Sequence, residues 1–235
     1  PSPQLPRIRN KNALLWAVFK VIGDMDPIMD VDSDLILGWA RMGVLTLCMA
    51  WAAWFDYKER KVSNEHWIVW TKPIVFIWTL DLLMQQPHWS VWLTASALLA
   101  YASGSVIGRP TLGDIRAGNR LDQIVLVWYL VSVIGIIAAG FRFASTSPLD
   151  VLVGDASPDA TLWWSYVGAL FTILIIDLAW RLRFIHGGAD AKALMWVTLL
   201  FPSWDSVPVS STTAMDEAVL HLPPSLSLLI WGGFL

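Results

Sequence analysis

The stretch RFIHGGADAKALM, residues 183–195, sets two glycines, Asp190 and Lys192 between two strongly apolar runs. A second carboxylate, Asp56, closes the apolar run that ends in WAAWF and is followed by Lys58, Arg60 and Lys61. Ionisable groups at helix ends in a bilayer are costly to hold and mark functional candidates. Two carboxylates that approach closely cannot both ionise readily, so the pair holds one proton between them. That state suits peptide hydrolysis: the ionised member takes a proton from an attacking water while the protonated member hydrogen-bonds the carbonyl oxygen. Gly187 and Gly188 are expected to let the backbone approach a substrate and to adopt conformations closed to other residues. An extended substrate segment could then pair with exposed backbone groups. Each motif alone has a plainer reading. Asp56 could belong to a solvated charge cluster, and Gly-Gly before an Asp could be a turn and a helix N-terminus.

What must position these groups follows from composition. Of 235 residues, 56% are hydrophobic and only 15% charged, and the mean hydropathy is +0.55. Soluble domains carry nearer a quarter charged residues. Apolar runs of roughly 20 residues, enough to cross about 30 Å of hydrocarbon, place the chain among membrane proteins. The fold class expected is all-α: a polytopic transmembrane helical bundle with about six or seven spans. Spans are expected over 35–55, 67–84, 91–108, 124–141 and 161–180, with a shorter run at 191–201 and another beginning at 225. The 16 tryptophans suit headgroup interfaces. The single cysteine, Cys48, excludes an internal disulfide framework and reads as a small buried hydrophobe. Residues 1–34 read as a tail with an interfacial helix over 13–23, and 35–235 as the membrane domain. The absence of an initiator Met and the apolar last residues suggest trimming at both ends, with the span from 225 cut short.

Charge on the connections gives orientation. Lys58, Arg60 and Lys61, then Arg109, Arg116 and Arg120, then Arg181, Arg183 and Lys192 fall on alternate connections. The intervening ones hold Arg142 alone, among Asp150, Asp155 and Asp159. By the positive-inside rule the three basic connections face the cytoplasm. Four crossings lie between Asp56 and Asp190, an even number, so the two aspartates are expected on one face of the membrane. The early basic residues Arg7, Arg9, Lys11 and Lys20 fit this parity poorly, whereas the acidic stretch 23–34 suits the outside.

GGADAKALM, followed by VTLLFP, resembles the second catalytic motif of archaeal type IV prepilin peptidases, the family that includes the preflagellin (prearchaellin) peptidases. AAWFDYKERKVSNEHW, residues 52–67, resembles their first motif: an Asp ending a helix, a basic residue, a Val or Ile, and an Asn before the next helix. The resemblance implies a GxGD-type membrane aspartyl endopeptidase with Asp56 and Asp190 as the catalytic pair. Gly187 matches the first Gly of GxGD, and Ala189 stands at the second, a variant common in the archaeal branch. Gly188, Lys192, Arg60 and Asn64 fall at motif positions that would support the site. The implied substrates are prepilin- or prearchaellin-like precursors, cleaved after a short basic leader at the cytoplasmic face of the cell membrane. Compact family members have two spans between the aspartates. Four here suggest an inserted hairpin at about 91–141. No Cys-x-x-C pairs or S-adenosylmethionine-type glycine motif occur, so peptidase activity without N-methylation is expected.

Other readings set the contrast. Presenilin and signal-peptide-peptidase relatives also use GxGD, but their Tyr-Asp first motif and Pro-Ala-Leu element are missing here. An ion-coupled transporter would bind protons or sodium at membrane carboxylates. Asp177 reads as an i,i+4 partner of Arg181, or as a residue behind Asp190. Arg41 and Asp81 lie at similar depth and are expected to snorkel outward or to pair. Lys72 is expected to reach the headgroups. His66 and His186 flank the motifs, but no HExxH-like spacing supports a metal. No cofactor, metal or nucleic-acid partner is expected; the partners expected are precursor and membrane lipid.

Overall fold

The computed structural model describes residues 33–109, 113, 116, 118–208 and 222–232. The tail with its expected interfacial helix lies outside them, apart from its last two residues. All regular structure among the described residues is helical. Five helices are long and apolar enough to cross a membrane: α1 (Ser33–Glu59), α2 (Asn64–Gln85), α3 (Trp89–Ile107), α4 (Arg120–Arg142) and α6 (Pro158–Arg181). A short α5, Pro148–Val153, precedes α6 behind a Ser147–Asp150 capping box. The chain is thus a membrane-embedded helical bundle.

The other two expected spans are shorter. The run at 191–201 forms α7, Gly188–Leu200, whose 13 residues reach about 20 Å. Pro202 ends it, because the residue before a proline is pushed out of the helical region: Phe201 sits at φ −125°, ψ 82°. The run from 225 forms α8, Pro224–Gly232, of 9 residues. Among the described residues five helices are thus long enough to span, and the two remaining apolar runs form shorter helices.

Packing explains which faces are apolar. α3 lies at the centre, against α2, α4, α6 and α7, and its Val91, Leu98, Ala100 and Ala102 are fully buried. Small residues let α4 come close: a Cβ on Gly135 would collide with Leu93. The outer face of α4 shows Ile124, Val127, Leu130, Ile134 and Ile137 outward, as expected where lipid is the solvent. α3 and α4, the stretch expected to be an inserted hairpin, pack unequally, with α3 in the core and α4 outside it. The Trp78 indole donates to the Leu199 carbonyl at 2.7 Å, tying α2 to α7. α1 packs most loosely. Its fixed points are Cys48 and Ala52 in the core and a buried Arg41–Asp81 ion pair with α2.

Candidate active site

The C-terminal ends of α1, α3 and α6 and the N-terminal ends of α2 and α7 meet at one end of the bundle. α1 closes there with Arg60 in the left-handed region at φ 53°, its N–H bonded to the Asp56 carbonyl at 2.9 Å. This is a helix C-cap of the kind usually made by glycine. After the turn, Asn64 opens α2 and donates from Nδ2 to the Val106 carbonyl of α3 at 3.1 Å. α6 ends at Arg181, and a turn with Arg183 at φ 65° brings the chain to α7.

Gly187 is the N-cap of α7, and Gly188, Ala189 and Asp190 form its first turn. The helix N-terminus places partial positive charge beside the Asp190 carboxylate. Asp56, Arg60, Asn64, Gly187, Gly188, Ala189, Asp190 and Lys192 all line one open cleft of about 700 Å³. Every residue singled out from the two motifs is therefore brought to one place. Both carboxylates are exposed to solvent, so water reaches them. Neither has a hydrogen-bond or ion-pair partner among the described residues.

The glycines work differently from the expectation. Neither Gly187 nor Gly188 has positive φ; Gly187 sits at φ −87°, ψ 120°, open to any residue. Their contribution is space. A Cβ on Gly187 would collide with Asp190 Oδ2 and lie 2.8 Å from its Cγ, and one on Gly188 would lie 3.2 Å from the Trp180 ring. Gly187→Ala is therefore expected to swing the Asp190 carboxylate aside. If the cleft cleaves leaders as the motif resemblance implies, cleavage should fall about 10²-fold, the order a misplacement near 1 Å can cost, while stability falls by no more than about 1 kcal/mol, the order an N-cap position is worth. Paired cleavage and thermal-denaturation measurements separate the two effects.

Lys192 bridges the two motifs. Its Nζ donates to Asn64 Oδ1 at 2.7 Å and stands 5.8 Å from the centre of the Trp180 ring. Partial burial holds its ammonium below the ordinary lysine value. In the window between that lowered value and the unfolded value, the folded chain binds fewer protons than the unfolded one. Lys192's share of stability then rises with pH, while the cleft loses a positive charge. Cleavage should accordingly decline on the alkaline side while the fold holds. Lys192→Arg should move that decline upward in pH, and an unmoved pH–rate profile would show that the charge is not used.

Three residues near the cleft were not singled out. Trp67 lines it one turn after Asn64, and Trp180 packs over Gly188 and Lys192. Trp196 stacks on Trp67 with ring centres 5.4 Å apart. The usable signal was position: Trp67 follows Asn64 by one helical turn, and Trp180 closes the helix before the Gly-Gly turn.

The remaining candidates are taken up elsewhere. Asp177 is buried and accepts from Tyr101 and Arg109 at 2.8 Å each and from Arg181 at 3.1 Å, with no bond to Asp190. Arg41 and Asp81 are buried and paired rather than snorkelling. They border a polar cavity with Asp34, Tyr166 and Asp205 at the opposite end. His66 is buried against Cys48, its Nε2 3.7 Å from Sγ, while His186 is exposed. Among the described residues no group of three or more His, Cys, Asp or Glu is placed to hold a metal. No family model, curated protein or solved structure matches the chain.

Proposed function

We propose that the chain is a membrane aspartyl endopeptidase that removes the short basic leader of prepilin- or prearchaellin-like precursors at the cytoplasmic face of the cell membrane. The observation that carries this reading is the cleft itself. Asp56 and Asp190, on helices separated by α2 to α6 in the chain, border one water-accessible space together with Gly187 and Gly188. The motif resemblance supplies the substrate class, and the basic connections supply the orientation.

In this mechanism one carboxylate works ionised and the other protonated once substrate is bound. The ionised member accepts a proton from water as its oxygen attacks the scissile carbonyl carbon; the protonated member donates to the carbonyl oxygen. On collapse the carbon–nitrogen bond breaks and the departing amine takes a proton from the pair. The helix N-terminus at Gly187–Asp190 favours the negative charge that the pair carries. The Lys192–Asn64 bond holds α7 to α2 and so fixes Asp190 relative to the first motif. The ion-coupled carrier reading is weaker, because the two buried carboxylates among the described residues, Asp81 and Asp177, are each held by arginine.

Co-expression with a precursor carrying a Lys-Gly or Arg-Gly leader junction tests the proposal. The expected product is shortened by the leader, seen as a gel mobility shift and as the matching intact mass. An unshortened precursor beside a correctly inserted chain would overturn it.

A further inference from the structure

Beside the cleft lies a second concavity that the peptidase reading does not use. It is a groove of about 390 Å³ between α2 and α3, lined by Ile68, Lys72, Val75, Val106, Ile107 and Trp196 and by two hydroxyl residues, Thr71 and Ser103. The lining is almost wholly apolar, and it lies on spanning helices whose neighbouring surface residues, Val69 and Phe76, are exposed apolar groups. Its polar groups are unequal. The hydroxyls of Thr71 and Ser103 are spent on the Trp67 and Ala100 carbonyls. Lys72 is exposed and its ammonium has no partner among the described residues. The Trp196 indole N–H is buried and lacks an acceptor. The groove thus combines apolar walls with one spare cationic donor.

We infer that this groove binds an anionic phospholipid, with an acyl chain along Ile68, Val75 and Val106 and the headgroup phosphate on Lys72. Charge selects this occupant: a cation beside hydrocarbon attracts an anionic headgroup, and Lys72 brings that cation to the groove. Because Trp196 stacks on the cleft residue Trp67, the lipid would brace the wall behind Asp190. The inference stands without the peptidase reading.

The test is native mass spectrometry of the chain released from bilayers of equal parts dioleoylphosphatidylglycerol and dioleoylphosphatidylcholine. The wild type should retain phosphatidylglycerol about fivefold over phosphatidylcholine, the order expected for one lysine at a membrane surface. Lys72→Gln should bring that ratio near one, and Lys72→Arg should keep it. Lys58→Gln, at the same end but outside the groove, should leave it unchanged. Ser103→Phe, which fills the groove, should lower retention of both lipids. Equal retention by the wild type, an unchanged ratio in Lys72→Gln, or full retention in Ser103→Phe would each overturn the inference. So would a photo-crosslinker at Val75 that captures a leader-bearing precursor in place of lipid.

Discussion

Asn at either Asp56 or Asp190 is expected to leave the chain folded and inserted while lowering leader cleavage about 10³-fold. The magnitude follows from the work assigned to each group. Positioned proton transfer is worth 10² to 10⁴ in rate, and each factor of ten is about 1.4 kcal/mol of barrier. A carboxamide keeps the shape of the carboxylate but cannot take a proton from water. The fold should tolerate both changes for a reason visible in the site: both side chains are exposed and neither anchors a hydrogen bond. The contrast with Asp177 is useful. Asp177→Asn would disturb Tyr101, Arg109 and Arg181 together, so its effect should be on stability rather than on cleavage chemistry.

Asp81→Ala is expected to destabilise the chain by about 3–5 kcal/mol, the cost of leaving a buried charge without its partner. Arg41 and Asp81 are each almost fully buried, at 5% and 7% exposure, so loss of the carboxylate strips the guanidinium of its direct partner. Gln85 would lose its bond to Asp81 Oδ1, now 2.7 Å long. Because α1 packs loosely elsewhere, this pair fixes its end opposite Asp56. The combined Arg41→Met, Asp81→Leu chain is expected to recover most of the loss, since buried pairs replaced by apolar residues of similar volume are often neutral. Denaturant titration of the three chains in one detergent checks both statements. Equal stability of Asp81→Ala and the double variant would show that burial of the unpaired arginine is not the cause.

The spans were legible because lipid imposes a simple pattern. Runs of apolar residues marked α1 to α4 and α6, but each helix extends past its run, as α2 does from Asn64 to Gln85 against the apolar 67–84. The extra residues are polar ends, where exposed backbone groups meet water or side-chain caps. Hydropathy is blind to them. α5 was missed because six residues behind a capping box leave no periodicity. The run at 191–201, already shorter than the five spans in the sequence, ends at Leu200 because Pro202 follows.

At the site, parity placed Asp56 and Asp190 on one face, which is a statement about depth alone. That they border the same cleft depends on lateral packing of α1, α2, α6 and α7, which loop charges do not encode. The Lys192–Asn64 bond and the contact of Trp180 with Gly188 are equally lateral. The glycines show the reverse case. Their presence was informative, but the reason given, unusual backbone conformation, gave way to space beside Asp190 and Trp180. Arg60 and Arg183, with no sequence mark, hold the left-handed turns instead. Arg41 and Asp81 could be matched in depth from sequence, whereas their burial depends on residues from distant parts of the chain gathered around them, Tyr166 and Asp205 among them.

The most direct test measures cleavage of one leader-bearing precursor by the wild type, Asp56→Asn, Asp190→Asn and the double variant, each confirmed as inserted. If the two carboxylates act as one unit, each single variant should fall about 10³-fold and the double variant no further than about threefold beyond the worse single. A single variant that is properly inserted and still cleaves at the wild-type rate would contradict the account.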